Sequence, residues 1–238
     1  MAILQSDYPS IQEDSSEKPF LTFVIASYNI SESLEKCVKS IVEQTVEEIE
    51  IIIVNDKSTD QTLEIAEKIS LSDVKNRIKV ISHITNRGLP AVRNTGLLAA
   101  TGKYIWHVDG DDYIAHNDSV KIIKNVFEKE KVPAIKIGVY NEKNLFDYKN
   151  QWNPENSCIL ADYQIYSPSK IIEKDGCGGA FSVIYDRELA LKLKISNLES
   201  ISIGEDQILL LQLFKLFPCL GYIKNYLYVY NNVGSSMM

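Results

Sequence analysis

The 238-residue chain reads as one α/β domain, a mostly parallel central sheet flanked by helices. Three observations predict it. Apolar, strand-like runs alternate with helical stretches through the first half, which implies right-handed crossovers between parallel strands. The run Ile49-Glu50-Ile51-Ile52-Ile53-Val54 is β-branched, as suits a strand. Polar clusters follow three of the strands: Ser27-Tyr28-Asn29, Asn55-Asp56-Lys57-Ser58 and Asp109–Asp112. In open α/β sheets, ligands bind at the carboxyl ends of the strands.

The elements follow in order. Phe20–Ala26 is an apolar, buried strand, and Ser33–Gln44 is a helix with Leu34, Val38, Ile41 and Val42 on one face. After Ile49–Val54, Ser58-Thr59-Asp60-Gln61 reads as a capping box that opens a helix to about Ile69. Arg77–Ile81 is the third strand. Pro90 suits the first turn of a helix over Leu89–Ala100, and Lys103–Val108 is the fourth strand. Asn117 or Asp118 caps a helix to about Lys129, with Val120, Ile123 and Phe127 inward. The second half is irregular. Asn141–Ser167 reads as a loop-bearing insertion, and Gly176-Cys177-Gly178-Gly179 as a hinge or close-approach segment. Phe181–Tyr185 is a short strand and Asp186–Leu193 a short helix; Gly204-Glu205-Asp206 leads into an apolar helix, Gln207–Phe217, and Tyr226–Tyr230 is a last strand. Residues 1–18 form a polar leader, and residues 19–238 one domain with a first half at 19–116 and a second at 117–238.

Hydrophobic residues make up 45% of the chain, as in a globular protein, and the net charge of -7 argues against a nucleic-acid surface. The four cysteines, Cys37, Cys158, Cys177 and Cys219, form no C-x-x-C pair and have no His at zinc-finger spacing, so a reducing compartment is expected. The leader lacks the pattern of a signal peptide, and no run approaches the ~18 apolar residues of a membrane span. A cytoplasmic protein is expected; peripheral association with the inner face of a membrane and a homo-oligomer stay open.

His107-Val108-Asp109-Gly110-Asp111-Asp112-Tyr113 is the most informative stretch, because it sets three carboxylates into four residues at a strand end. Such a cluster is repulsive and costly to desolvate unless a hard cation joins it. Mn²⁺ or Mg²⁺ with a diphosphate in its shell would serve, and Gly110 lets the backbone come close to a ligand. The bland alternative is a solvated acidic turn.

Taken together, the motifs resemble the family 2 glycosyltransferases with the GT-A fold. The matching pieces run in order: Val24-Ile25-Ala26-Ser27-Tyr28-Asn29; Ile53-Val54-Asn55-Asp56-Lys57-Ser58-Thr59-Asp60; Asn86-Arg87-Gly88 with Ala91-Val92-Arg93-Asn94; Gly102-Lys103-Tyr104 leading to Asp109-Gly110-Asp111-Asp112; and Gly204-Glu205-Asp206. The resemblance covers about residues 19–217. It implies inverting transfer from a nucleotide-sugar donor, most often a UDP-sugar, to a saccharide or lipid-linked saccharide acceptor, with a Rossmann-like donor half and an acceptor-side second half. By the same resemblance, the backbone around Ala26, Ser27 and Tyr28, with the Asp56 carboxylate, holds the nucleoside. Arg93 sits near the diphosphate or braces the acidic motif. Asp109 and Gly110 meet the donor, Asp109 at the ribose or the metal, and Asp111 ligates the metal. Asp206 is the base, and Asp112, Gly178, Gly179 and Glu205 belong to the acceptor side. Two departures stand out: no His follows His116, and Asn231 replaces an Arg that many relatives carry.

Each residue has a structural reading beside the functional one. Asp56 could bond backbone amides in its own turn, Asp60 could serve the first turn of its helix, and Glu205 and Asp206 could be plain helix N-terminal acids. Gly178 and Gly179 shape an acceptor site or merely turn the chain. His83, His107 and His116 read as structural or exposed, Trp106 as core, and Trp152 as a candidate for stacking on a sugar. A nucleotidyltransferase would need a Gly-rich basic loop after the first strand, and a dinucleotide oxidoreductase a G-x-G-x-x-G; neither is present. A catalytically weak nucleotide-binding partner module is the alternative from another class.

Overall fold

β1 (Leu21–Ser27) lies between β2 (Ile49–Asn55) and β4 (Tyr104–Asp109), parallel to both, and β3 (Ile78–Ser82) extends the sheet parallel to β2. The structure, a computed structural model, describes residues 18–141, 163–175, 178–201, 203–217 and 219–231. The expectations for Trp152, Cys158, Cys177, most of the insertion and most of the leader lie outside these residues. Helices α1 (Leu34–Val42), α2 (Thr62–Ser72) and α4 (Ser119–Glu130) pack on one face. The other face carries α3 (Leu89–Ala99), α5 (Pro168–Asp175), α6 (Arg187–Lys192) and α7 (Glu205–Leu216). Alternation along the strands feeds two cores: Phe23, Ile25, Ile51 and Ile53 point to the first face, Val24, Ala26, Ile52 and Val54 to the second. Burial on both faces explains why the runs Phe23–Ala26 and Ile51–Val54 are apolar at every position rather than at every other one.

The parallel register sets the strand ends flush. Ala26 lies opposite Asp109, Ser27 opposite Asn55, and Asn55 opposite Ser82. The three polar clusters therefore share one edge of the sheet, as their common position after strands predicts.

The second half continues the same sheet but mixes direction. β8 (Val183–Asp186) is antiparallel to both β4 and β6 (Ala134–Asn141), and β9 (Leu220–Tyr230) runs parallel to β6. β5 (Tyr113–Ile114) and β7 (Tyr163–Tyr166) pair antiparallel with β9. The strand order is β3-β2-β1-β4-β8-β6-β9-β5, with β7 also on β9. β6 has no counterpart among the expected elements, and β9 starts well before the expected Tyr226.

Local chemistry corrects two further details. Ser58 does not cap α2. Its hydroxyl accepts from Asn29 N (3.1 Å), while Asp60 accepts from Thr62 N (2.9 Å) at the helix start and from Ser31 N (3.1 Å) across the loop. Phe181 belongs not to a strand but to a short 3-10 turn, Ala180–Ser182, that precedes β8. Trp106 is core as expected, stacked on Phe23 at 5.2 Å with its indole N–H on Phe181 O (2.8 Å). No described helix is long and apolar enough to cross a membrane.

Candidate active site

At the end of β2, Asp56 is almost wholly buried. Its carboxylate accepts from Arg87 N (2.9 Å) and Gly88 N (2.7 Å) and lies 2.7 Å from His83 Nδ1. An ionised carboxylate offers about four acceptor positions, and protein donors take them here. Asp56 thus ties the loop before α3 to the sheet edge. The buried hydroxyl of Ser27 donates to Val54 O (3.0 Å). The Ala26 carbonyl accepts from Gly110 N (3.0 Å), so it anchors the acidic turn. Tyr28 alone of this trio keeps an accessible side chain at the edge.

Gly110 is fixed by space. A Cβ there would lie 2.3 Å from Ile30 Cδ1 and 2.8 Å from Ala26 O, so only glycine lets the acidic turn sit against β1. That turn sends its three carboxylates in different directions. Asp112 points inward, accepting from the Tyr228 hydroxyl (2.6 Å) and from Asn231 N (2.7 Å). It latches the end of β9 to the turn, assisted by Asn231 Nδ2 on Asp111 O (3.0 Å). Asp111 leaves its side chain half-exposed, with no donor from another described residue reaching it. Asp109 is 19% exposed and faces Arg93.

Arg93, on α3, is the centre of the arrangement. Its guanidinium is buried and donates to Asp109 Oδ1 (3.4 Å) and to Asp206 Oδ1. Asp206 stands in the first turn of α7 beside Glu205, following Gly204 at the N-cap. Of the two expected positions for Arg93, the structure shows the brace. It joins the acidic turn to the candidate base, which are far apart in sequence. Burial, aided by the charges of Asp206 and Asp111, pushes the Asp109 carboxyl up to about 6 against the pull of Arg93. Burial and then the Asp109 charge push Asp112 up to about 8, although Tyr228 and Asn231 donate to it. Burial also raises the Asp111 carboxyl.

Beside the acidic turn lies a cavity of about 300 Å³ lined by Gly178, Gly179, Phe181, Ser182, Tyr230 and the β6 residue Lys136, among others. The two glycines therefore face a cavity, next to the site, rather than a bare surface turn.

The sequence pattern of glycosyl transferase family 2 matches residues 22–189, which contain β1 through β8 and the acidic turn. The chain belongs to glycosyl transferase family 2. Among family relatives, EpsJ of Bacillus subtilis, an uncharacterized glycosyltransferase, is 30% identical over 222 residues, 92% of this chain and 63% of EpsJ. Among solved structures, S. aureus TarS in complex with UDP-GlcNAc superposes with a TM-score of 0.75 at 22% identity, over 91% of this chain and 59% of that one. The mannosyltransferase PcManGT of Pyrobaculum calidifontis, in complex with GDP-Man and Mn²⁺, gives 0.65 at 17% identity, over 92% of this chain and 58% of that one. The chain thus spans roughly 60% of the length of these proteins, and the solved structures agree on the GT-A fold.

Within this family 2 fold, Asp109, Asp111, Arg93, Glu205 and Asp206 come together, while Ala26, Ser27, Asp56 and Asp112 frame them from behind. Tyr228 and Asn231 were not among the expected site residues. Tyr228 in β9 and Asn231 just after it reach back to the acidic turn, more than a hundred residues earlier in the chain, and no local pattern marks such a contact. Asn231 was visible only as a departure from the family pattern. No group of three His, Cys, Asp or Glu side chains among the described residues forms a closed metal cage. Asp111, half-exposed and taking no donor from another described residue, is the carboxylate with room for a Mg²⁺-like ion that keeps waters and phosphate oxygens in its shell, with Asp109 two residues away on Arg93.

Proposed function

We propose that this chain is an inverting glycosyltransferase that moves a sugar from a nucleotide-diphosphate sugar, a UDP-sugar first, to a saccharide or lipid-linked saccharide acceptor in polysaccharide assembly. The observation that carries the reading is the Arg93 bridge, which holds Asp109 of the acidic turn and Asp206 of α7 on one buried guanidinium. An inverting displacement needs a leaving-group site and a base, and the two carboxylates come from separate elements, the acidic turn and α7. The TarS complex with UDP-GlcNAc and the PcManGT complex with GDP-Man and Mn²⁺ support a nucleotide-sugar donor and a divalent ion.

In this reading Tyr28 and the loop held by Asp56 receive the nucleoside. Asp111 and Asp109 would hold Mn²⁺ or Mg²⁺, which when bound stabilises charge on the departing diphosphate. Asp206 takes the proton of the acceptor hydroxyl, and Arg93 keeps its carboxylate from turning away. Glu205, Gly178 and Gly179 face the acceptor side. The chain works in the cytoplasm, on the side where nucleotide sugars are made.

Thermal shift with UDP-, GDP- and dTDP-sugars in Mn²⁺ tests the donor, since only a ligand of the native state raises its stability. A UDP-sugar is expected to give the largest shift, followed by UDP release on addition of saccharide acceptors. No shift with any nucleotide sugar would overturn the reading.

A further inference from the structure

Asn94 follows Arg93 on α3 and has no part in the reading above, yet its side chain is committed to one place. Its Oδ1 accepts from Asn197 N (2.8 Å) and its Nδ2 donates to Asn197 O (2.9 Å). Asn197 lies in the segment between α6 and α7 and is 3% exposed. From the other side, Gln212 of α7 holds Ser196 in the same way. Its Nε2 donates to Ser196 O (2.9 Å) and its Oε1 accepts from Ser196 N (3.3 Å). Two side-chain amides, one on each helix, thus grip two consecutive residues by their backbone N–H and C=O groups. A carboxamide sets a donor and an acceptor side by side, the arrangement that pairs with both groups at once. Asn94 Nδ2 also donates to Glu199 Oε1 (3.0 Å), whose other oxygen meets Arg87 (2.8 Å). That ion pair is exposed and contributes little by itself.

α3 carries Arg93 and α7 carries Asp206. Whether the guanidinium reaches the carboxylate depends on how far apart the two helices stand, and residues 196–197 form a strut between them. Apolar residues of both helices share one core, among them Val92, Leu97, Leu209 and Leu213. Hydrophobic burial is non-directional, whereas paired hydrogen bonds set distance and angle. We propose that Asn94 is a positioning residue for the base: with Gln212 it fixes the α3–α7 separation through this strut and so keeps Asp206 on Arg93. It acts through Asp206, not on the substrates. The proposal rests on the transfer reading with Asp206 as base.

Double-mutant cycles on the full chain decide it. UDP release from UDP-glucose in Mn²⁺, with glucose as acceptor, is measured for wild type, Asn94→Ala, Gln212→Ala, Asp206→Asn and each strut variant combined with Asp206→Asn. Gln212 is partly exposed and six residues beyond Asp206, so its variant serves even where Asn94→Ala fails to fold. Each strut variant is expected to lower kcat roughly 10-fold, within the ~10²-fold that a 1 Å misplacement costs, with the KM for UDP-glucose near wild type. In the Asp206→Asn background the same change should cost nothing further, because no base is left to place. Urea midpoints of the same proteins give a reading that needs no substrate. Asp206→Asn should lower the midpoint of the wild type, where buried Arg93 loses a carboxylate, and lower that of the strut variants about half as much or less. Additive midpoints overturn the proposal, as do equal losses of turnover in both backgrounds. Full turnover in Asp206→Asn would sink the base reading instead. In that case, or where UDP-glucose is not turned over, the midpoints alone decide whether the strut sets the contact between Asp206 and Arg93.

Discussion

Asp206 and Glu205 are neighbours in the first turn of α7, yet only Asp206 is held by Arg93. Adjacent helix positions point in different directions, so one carboxylate alone can face the acceptor. Asp206→Asn keeps the shape and removes the proton acceptor. Turnover should fall ~10²–10⁴-fold with donor affinity near wild type. Glu205→Gln should be milder. Paired measurement of UDP release and UDP-sugar affinity checks both, and the reverse ranking would move the base to Glu205. A second residue-scale expectation concerns pH. Asp109 and Asp112 have folded values of about 6 and about 8, against unfolded values near 4. Between those limits the folded protein binds more protons than the unfolded chain. Stability therefore falls as pH rises through that window. The metal-free protein should show a declining melting temperature from pH 5 to pH 8, and Asp112→Asn should flatten the upper part of the decline. A melting temperature that rises with pH over this range would contradict the assignment.

At the scale of elements, the 83–88 loop is tied to β2 through Asp56, which collects two backbone amides and the His83 ring. Asp56→Ala leaves those donors buried and unpaired, a cost of about 2–4 kcal/mol, seen as a lower denaturation midpoint. If the loop receives the nucleoside as proposed, the donor dissociation constant should rise by roughly 10-fold or more as the loop loses its anchor. Wild-type donor affinity in a folded Asp56→Ala protein would confine the residue to structure. The elements that sequence made legible are those with a clean period. β1, β2 and β4 are apolar on both faces, and α1 and α4 carry one apolar stripe each. β6 was hidden because Lys136 and Gly138 break its apolar run, and the pairing with β9 shifts register around Gly138. β9 was read short because Gly221, Lys224 and Asn225 interrupt its first half. Within the site, the motifs located Asp109, Asp111 and Asp206. What spacing could not show was direction: only the folded turn reveals that Asp112 points inward to Tyr228 while Asp111 points out.

At the scale of the whole molecule, the proposed donor and the protein carry charge of the same sign. The net charge is -7, and the edge of the sheet concentrates Asp109, Asp111 and Asp206 against a single buried Arg93 already shared between two of them. A nucleoside diphosphate arriving there without a counter-ion meets repulsion at close range, where salt screens it poorly. Asp111 is the side chain in position to answer this. It is half-exposed, takes no donor from another described residue, and sits in a turn fixed independently by Gly110 on β1 and by Asn231 on β9. Its carboxylate is free for a cation, and its removal leaves the supports of the turn in place. Asp111→Asn should therefore leave the metal-free melting temperature at or slightly above wild type, since a raised carboxyl in a repulsive cluster has been neutralised. UDP affinity in the wild-type protein should collapse in EDTA and recover with Mn²⁺ or Mg²⁺, whereas in Asp111→Asn it should stay weak in either condition. Calorimetric titration of UDP into both proteins, with chelator and with each ion, is the measurement. Equal UDP affinity with and without a divalent ion in the wild type would mean that the protein neutralises the diphosphate with its own cations. Arg93 would then have to leave Asp206 to do so, a rearrangement that an Arg93→Met variant with retained UDP binding would exclude.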